Sequence, residues 1–137
     1  MLASLRNEEG LDILRFIKSK ANGRPVIIAG DFNADPREPV HNTMLSDQLG
    51  LASAYAANTA EEPKYTTWKV RADAESKTTL DYVFYTKDHM DVLRYLDIAT
   101  EDAIGENRLP GLHYPSDHLS LVCDFVFKPM VNEKGRL

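Results

Sequence analysis

Pro25-Val26-Ile27-Ile28-Ala29-Gly30-Asp31-Phe32-Asn33-Ala34-Asp35-Pro36 is the stretch whose reading decides the fold. Its first five residues form a short apolar run rich in β-branched side chains, and its last seven are mostly turn formers. A run of that length bounded by turn signals predicts a strand over 25–29, covered on both faces. The loop that follows, 30–39, carries two prolines. Polar residues just past the carboxyl end of a buried strand are where α/β proteins place ligand sites. Asp31 and Asn33 stand two apart, so an extended loop turns both to one side. One carboxylate and one amide then converge on one point, which suits aligning a water or gripping a phosphate oxygen. The same residues also suit an Asx-turn opening the next helix, because Asp, Asn and Pro are ordinary turn residues.

Upstream, Leu11, Leu14 and Ile17 recur at helical spacing, with Ile13 and Phe16 widening the stripe, which predicts a helix over 6–20. Asn22-Gly23 closes it, glycine being the usual residue of the left-handed turn after a helix. Downstream, 38–45 predicts one or two helical turns, and 49–64 is polar and irregular. Segments 65–70, 79–85 and 92–98 read as strands, with aromatic and β-branched residues prominent. After a loop over 105–115, the run 119–127 is apolar at nearly every position and reads as a central strand. The order of helix, buried strand, helix and then several strands is that of an α/β layered fold. Residues 1–128 form one unit, and 129–137 a polar tail expected to fray.

The chain has 137 residues, 43% hydrophobic and 27% charged, ordinary values for one globular domain. No apolar run approaches the roughly 20 residues needed to span a bilayer, so no membrane role is expected. Cys123 is the only cysteine, which excludes an internal disulfide framework and favours a reducing compartment. The net charge of −5 argues against a broad electrostatic grip on nucleic acid. It leaves room for a small phosphorylated substrate whose charge is met by a metal ion.

Two further motifs carry chemistry. In Leu80-Asp81-Tyr82 a carboxylate stands inside an apolar strand, so it must be paired or lie at a strand edge facing water. In Tyr114-Pro115-Ser116-Asp117-His118-Leu119-Ser120, Asp117 and His118 are adjacent and can be turned to different jobs. A carboxylate partner would fix the tautomer of His118 and raise its basicity, and Asp81 is the natural candidate. Each motif alone could be a cap or turn. Three such motifs at strand ends supply what metal-assisted phosphate hydrolysis needs: a proton acceptor, a phosphate aligner and an oriented histidine.

Gly30-Asp31-Phe32-Asn33, Leu80-Asp81-Tyr82 and Ser116-Asp117-His118 resemble the signature of the endonuclease/exonuclease/phosphatase superfamily. Tyr65-Thr66-Thr67-Trp68-Lys69-Val70-Arg71, Ile104-Gly105-Glu106-Asn107-Arg108-Leu109-Pro110 and the 114–121 segment are similar to its deadenylase-like branch, within it to the nocturnin-like group. The resemblance covers about 6–127. It implies the C-terminal half of a four-layer α/β sandwich, with a mixed, mostly antiparallel sheet and helices on one face. It implies that Asp31 activates or positions the attacking water and that Asn33 contacts the phosphate. Asp81 would pair with His118, and His118 would contact the phosphate at the transition state. Asp117, with Asp31, would hold Mg2+, while Lys69 and Arg71, placed on a loop after Trp68, would meet the substrate's other phosphates. The implied reaction removes the 2′-phosphate of NADP(H) to give NAD(H); the alternative is 3′-exonucleolytic shortening of poly(A) RNA.

In this family an N-terminal half supplies the glutamate that is the principal magnesium ligand, and no residue here corresponds to it. The expectation is therefore an incomplete domain, inactive or nearly so alone, with an apolar sheet face left open to self-association. A non-catalytic interaction fragment is the other reading. The cytoplasm is the expected compartment, with mitochondria the alternative for a full-length protein. Among the remaining candidates, His41 reads as a surface residue, His89 as a turn, His113 as loop surface, and Trp68 and Cys123 as core.

Overall fold

The computed structural model describes residues 1–129. Its elements run α1 (Leu2–Ala21), β1 (Ile27–Asp31), α2 (Pro39–Ser46), β2 (Leu51–Ser53), β3 (Thr67–Val70), β4 (Glu75–Thr78), β5 (Asp81–Thr86), β6 (Met90–Tyr95), α3 (Glu101–Ile104) and β7 (Cys123–Phe127). They build three antiparallel sheets, β1-β5-β2, β3-β4 and β6-β7. The only parallel pairing among the described residues is an isolated bridge between Lys69 and Leu109.

β5 organises the core because successive side chains on a strand point to opposite faces. Tyr82 and Phe84 face the helices and are buried with Leu14 of α1 and Val40 and Met44 of α2. Val83 and Tyr85 face the other way and are buried with Ala54 and Met90, against Val92, Cys123 and Phe125 of the β6-β7 sheet. Helices therefore cover one face of the central sheet. No described helix is long and apolar enough to cross a membrane.

Of the stripe read from the sequence only Leu14 is fully buried, beside Gly10; Ile17 is half-buried, and Leu11, Ile13 and Phe16 are exposed. A Cβ at Gly10 would lie 2.7 Å from Val40 Cγ2, so glycine is what lets α2 approach this closely. The helix ends as expected, with Asn22 (φ 48°) and Gly23 (φ 74°) both left-handed.

Three expectations are corrected. β1 is not covered on both faces: Ile28 packs on the helix-facing core, while Ile27 and Ala29, which point the other way, are exposed. The last strand starts at Cys123 and is not central, since β7 pairs with β6 alone. Side-chain hydroxyls explain the late start: Tyr114 accepts the N–H of Ser120 at 2.9 Å and Tyr55 that of Val122 at 3.0 Å. Those donors are thereby withdrawn from a ladder. The irregular stretch 49–64 contains β2, too short for a period to be visible. β4, Glu-Ser-Lys-Thr, has no apolar residue to betray a strand. The polar tail lies, from residue 130 on, outside the described residues.

Leu93 is exposed at the register shift in β6, and Val126 and Phe127 are exposed on β7.

Candidate active site

The β1-β5 ladder places Asp31 directly opposite Asp81. Cross-strand partners share a face, and like charges there repel, so this end of the sheet needs donors. Asp81 has two. Thr66, fully buried, donates its hydroxyl to Asp81 Oδ2 at 2.6 Å. The same hydroxyl oxygen accepts the N–H groups of Leu80 at 3.0 Å and Asp81 at 3.1 Å. His118 Nδ1 stands 2.9 Å from Asp81 Oδ2 and 3.2 Å from Oδ1. A carboxylate there selects the proton on Nδ1 and leaves Nε2 for the site.

His118 is delivered by a chain segment pinned to β3. It bridges Thr67, while the Thr67 hydroxyl and the Trp68 N–H donate to the Asp117 carbonyl at 2.8 and 3.2 Å. Ser116 Oγ accepts the His118 N–H at 3.0 Å. The dyad is thus assembled from the start of β5 and a segment bound to β3.

Asp31, exposed at the end of β1, accepts the Asn33 N–H on Oδ1 at 2.7 Å and the Asn33 amide on Oδ2 at 3.2 Å. Asn33 is left-handed, at φ 50°. The Asx-turn is therefore real, and it also fixes the Asp31 carboxylate toward Asp81. One ligand atom each from Asp31, Asp81 and His118 falls within 4.8 Å of the others, a grouping able to hold a metal ion.

Asp117 lies outside that grouping, and its Oδ2 is 3.1 Å from Lys69 Nζ. That hydrogen bond holds the Asp117 carboxyl below the usual carboxylate range. Lys69 sits within β3, whereas Arg71 is exposed in the turn to β4, closed by backbone bonds between Arg71 and Ala74. The structure therefore gathers Asp31, Asn33, Asp81 and His118, sets Lys69 and Asp117 as a pair beside them, and leaves Arg71 at the hairpin tip. A shallow cavity of about 280 Å³, lined by Gly30, Asp81, Leu119 and Leu121, adjoins the dyad. A larger one, about 760 Å³, lies by His41, Ser53 and Glu62, away from these carboxylates. Volume does not decide between them; the convergent titratable groups do.

Sequence reading missed Thr66, which reads as one more β-former in a threonine-rich strand. It missed Asp35, whose carboxyl is brought down to about 2 mainly by the Arg37 guanidinium and also accepts from Thr78 at 3.0 Å. His41 is no plain surface residue: its Nε2 is 2.8 Å from Glu62 Oε1, and its ring lies 5.1 Å from that of Tyr82. Replacing Thr66 by Val keeps the shape but removes the hydroxyl that two N–H groups donate to and leaves Asp81 Oδ2 with His118 alone. A loss of about 1–3 kcal/mol is expected in urea denaturation, with Thr66→Ser close to wild type. Equal midpoints for the wild type and the valine variant would contradict this role.

With that geometry in hand, residues 2–118 match the family model described as "Endonuclease/Exonuclease/phosphatase family". Nocturnin of Drosophila melanogaster is 45% identical over 151 residues, covering 94% of this chain and 24% of that protein. Nocturnin of Homo sapiens is 48% identical over 127 residues, covering 89% and 30%. The chain thus spans under a third of the length of these curated relatives. The human Nocturnin catalytic domain, solved with a bound sulfate anion, superposes with a TM-score of 0.75 at 40% identity. That match covers 92% of this chain and 42% of that one.

Proposed function

The chain belongs to the endonuclease/exonuclease/phosphatase family, and from that premise we propose that it forms one wall of a phosphoesterase site acting on the 2′-phosphate of NADP(H). The observation that carries the reading is the Asp81–His118 pair at 2.9 Å with Asp31 in register opposite Asp81. Asp31 accepts the proton of the attacking water, held in place by the bonds from Asn33. His118, its Nδ1 held by Asp81 and through it by Thr66, turns Nε2 toward the phosphoryl group, where charge accumulates. Water adds to phosphorus, the bond to the ribose 2′-oxygen breaks, and the products are NAD(H) and inorganic phosphate. Lys69 and Arg71 meet the remaining phosphates of the dinucleotide.

The donor chemistry fits magnesium, a hard cation that takes oxygen ligands, through the convergent carboxylates of Asp31 and Asp81, with Asp117 held apart by Lys69. His118 is committed to Asp81 and serves better as an orienting group than as a ligand. When bound, the ion would act as a Lewis acid and neutralise phosphate charge.

The test is phosphate release from NADPH by the full-length gene product, with magnesium and with a chelator, beside the same assay on an oligoadenylate. Chelator-sensitive phosphate release from NADPH is expected. Adenylate release without NADPH hydrolysis would assign the site to RNA instead.

A further inference from the structure

Lys69 and Arg71 are carried by β3 and its turn into β4, and a two-stranded hairpin has little stability of its own. Something must hold it. On β3, alternate residues face opposite ways. Thr67 and Lys69 bond Asp117 on the side of the candidate site. Trp68 lies on the other side, only 2% exposed, packed with Tyr65, Leu109 and Leu119. Two cations flank its indole: Lys77 Nζ at 4.1 Å and Arg108 Cζ at 4.2 Å from the ring centroid. Lys77 is the cross-strand partner of Trp68 and belongs to the hairpin itself.

Arg108 comes from elsewhere and ties the hairpin down. Its Nε donates to Glu75 Oε1 at 3.0 Å, and the same oxygen accepts Trp68 Nε1 at 2.5 Å. Its Nη1 donates to the Gly105 carbonyl at 2.8 Å. The next residue, Leu109, donates its N–H to the Trp68 carbonyl at 3.1 Å and bridges Lys69. Arg108 itself is left-handed, at φ 59°, a conformation that a non-glycine residue holds only when its surroundings over-determine it. Here a stacked guanidinium, two side-chain hydrogen bonds and the neighbouring bridge do so together. Arginine suits the position because its planar fork can stack and donate in two directions at once, which an ammonium cannot.

We propose that Arg108 is a positioning residue of the candidate site, clamping Trp68 and Glu75 from behind so that the β3-β4 hairpin presents Lys69 to a phosphorylated ligand. The proposal rests on the phosphoesterase reading for the ligand class, but the clamp can be tested without it. Adenosine 2′,5′-bisphosphate, which carries a second phosphate for Lys69 beside the 2′-phosphate, is the probe, with affinity measured by calorimetry on the full-length gene product. Arg108→Ala is expected to weaken binding about 10-fold, and Arg108→Lys, which keeps a cation over the indole but loses the fork, by less. In a Lys69→Met background, Arg108→Ala should have little further effect, because it acts through Lys69. A general loss of fold would weaken binding in both backgrounds, so additive effects would overturn the proposal. If the wild type binds no adenosine 2′,5′-bisphosphate, the phosphate reading fails. The clamp is then judged from the side-chain 15N signal of Lys69, which must still move on Arg108→Ala; an unmoved signal overturns it.

Discussion

Asp31→Asn is expected to lower phosphate release from NADPH by about 10²–10⁴-fold in the full-length gene product, the usual contribution of a positioned proton acceptor. The substitution is chosen because little else changes. An asparagine carbonyl oxygen can still accept the Asn33 N–H that Oδ1 accepts at 2.7 Å, so the left-handed turn survives. What is lost is the charge, and with it the affinity for a proton. Removing a carboxylate from opposite Asp81 also relieves cross-strand repulsion, so stability should hold or rise slightly. A large fall in turnover at undiminished stability is thus the signature of a chemical role, whereas a merely structural turn would lose both. Asp31→Asn and His118→Ala should combine far less than additively, since groups that act on one transition state fail together. Turnover within a few-fold of wild type would remove Asp31 from the chemistry.

The parts of the site that could be read from the sequence are those written in short, local motifs. Asp31 and Asn33 are two residues apart, and the Asx-turn joining them is a property of that spacing. Asp81 inside an apolar strand announces a need for a partner, and His118 was the candidate for it. What stayed hidden depends on contacts between distant segments. Thr66 meets Asp81 across 15 positions, and Arg108 meets Glu75 across 33. No periodicity or motif encodes such pairings; they follow from how β3 lies between β4 and the 105–120 segment. The α/β class was legible because β5 is apolar along most of its length and because the 6–20 and 38–45 segments read as helices on either side of the apolar run of β1. The strand ends were not, because hydroxyls of Tyr55 and Tyr114 compete for backbone donors that composition alone assigns to a sheet. Covering of β1 failed for a related reason: an apolar run shows what a strand could bury, not which faces its neighbours reach.

Phe84→Ala should be among the most destabilising single substitutions, at about 3–5 kcal/mol, because it empties the centre of the helix-facing core. Phe84 is completely buried, its ring stacked on Tyr82 with centroids 5.3 Å apart and met edge-on by Phe32 at 5.4 Å. Leu14, Val40 and Met44 belong to the same cluster, and helices bearing stiff side chains such as Val40 cannot simply collapse into the space. Set against a typical total of about 5–15 kcal/mol, that loss removes a large share of the folding free energy. Urea denaturation reads it as a lower midpoint at unchanged slope. Phe127→Ala is the control, since that ring is 69% exposed and should shift stability by no more than about 0.5 kcal/mol. A shift below about 1 kcal/mol for Phe84→Ala would mean that the core is not built as described. The consequence reaches the chemistry because Phe32 stands between Asp31 and Asn33 and is also held edge-on by Tyr82 at 5.7 Å. Losing one of its two aromatic partners frees the turn that aims the Asp31 carboxylate. Turnover by the fraction still folded should therefore fall as well, and Phe84→Leu, which refills most of the volume, should recover much of both.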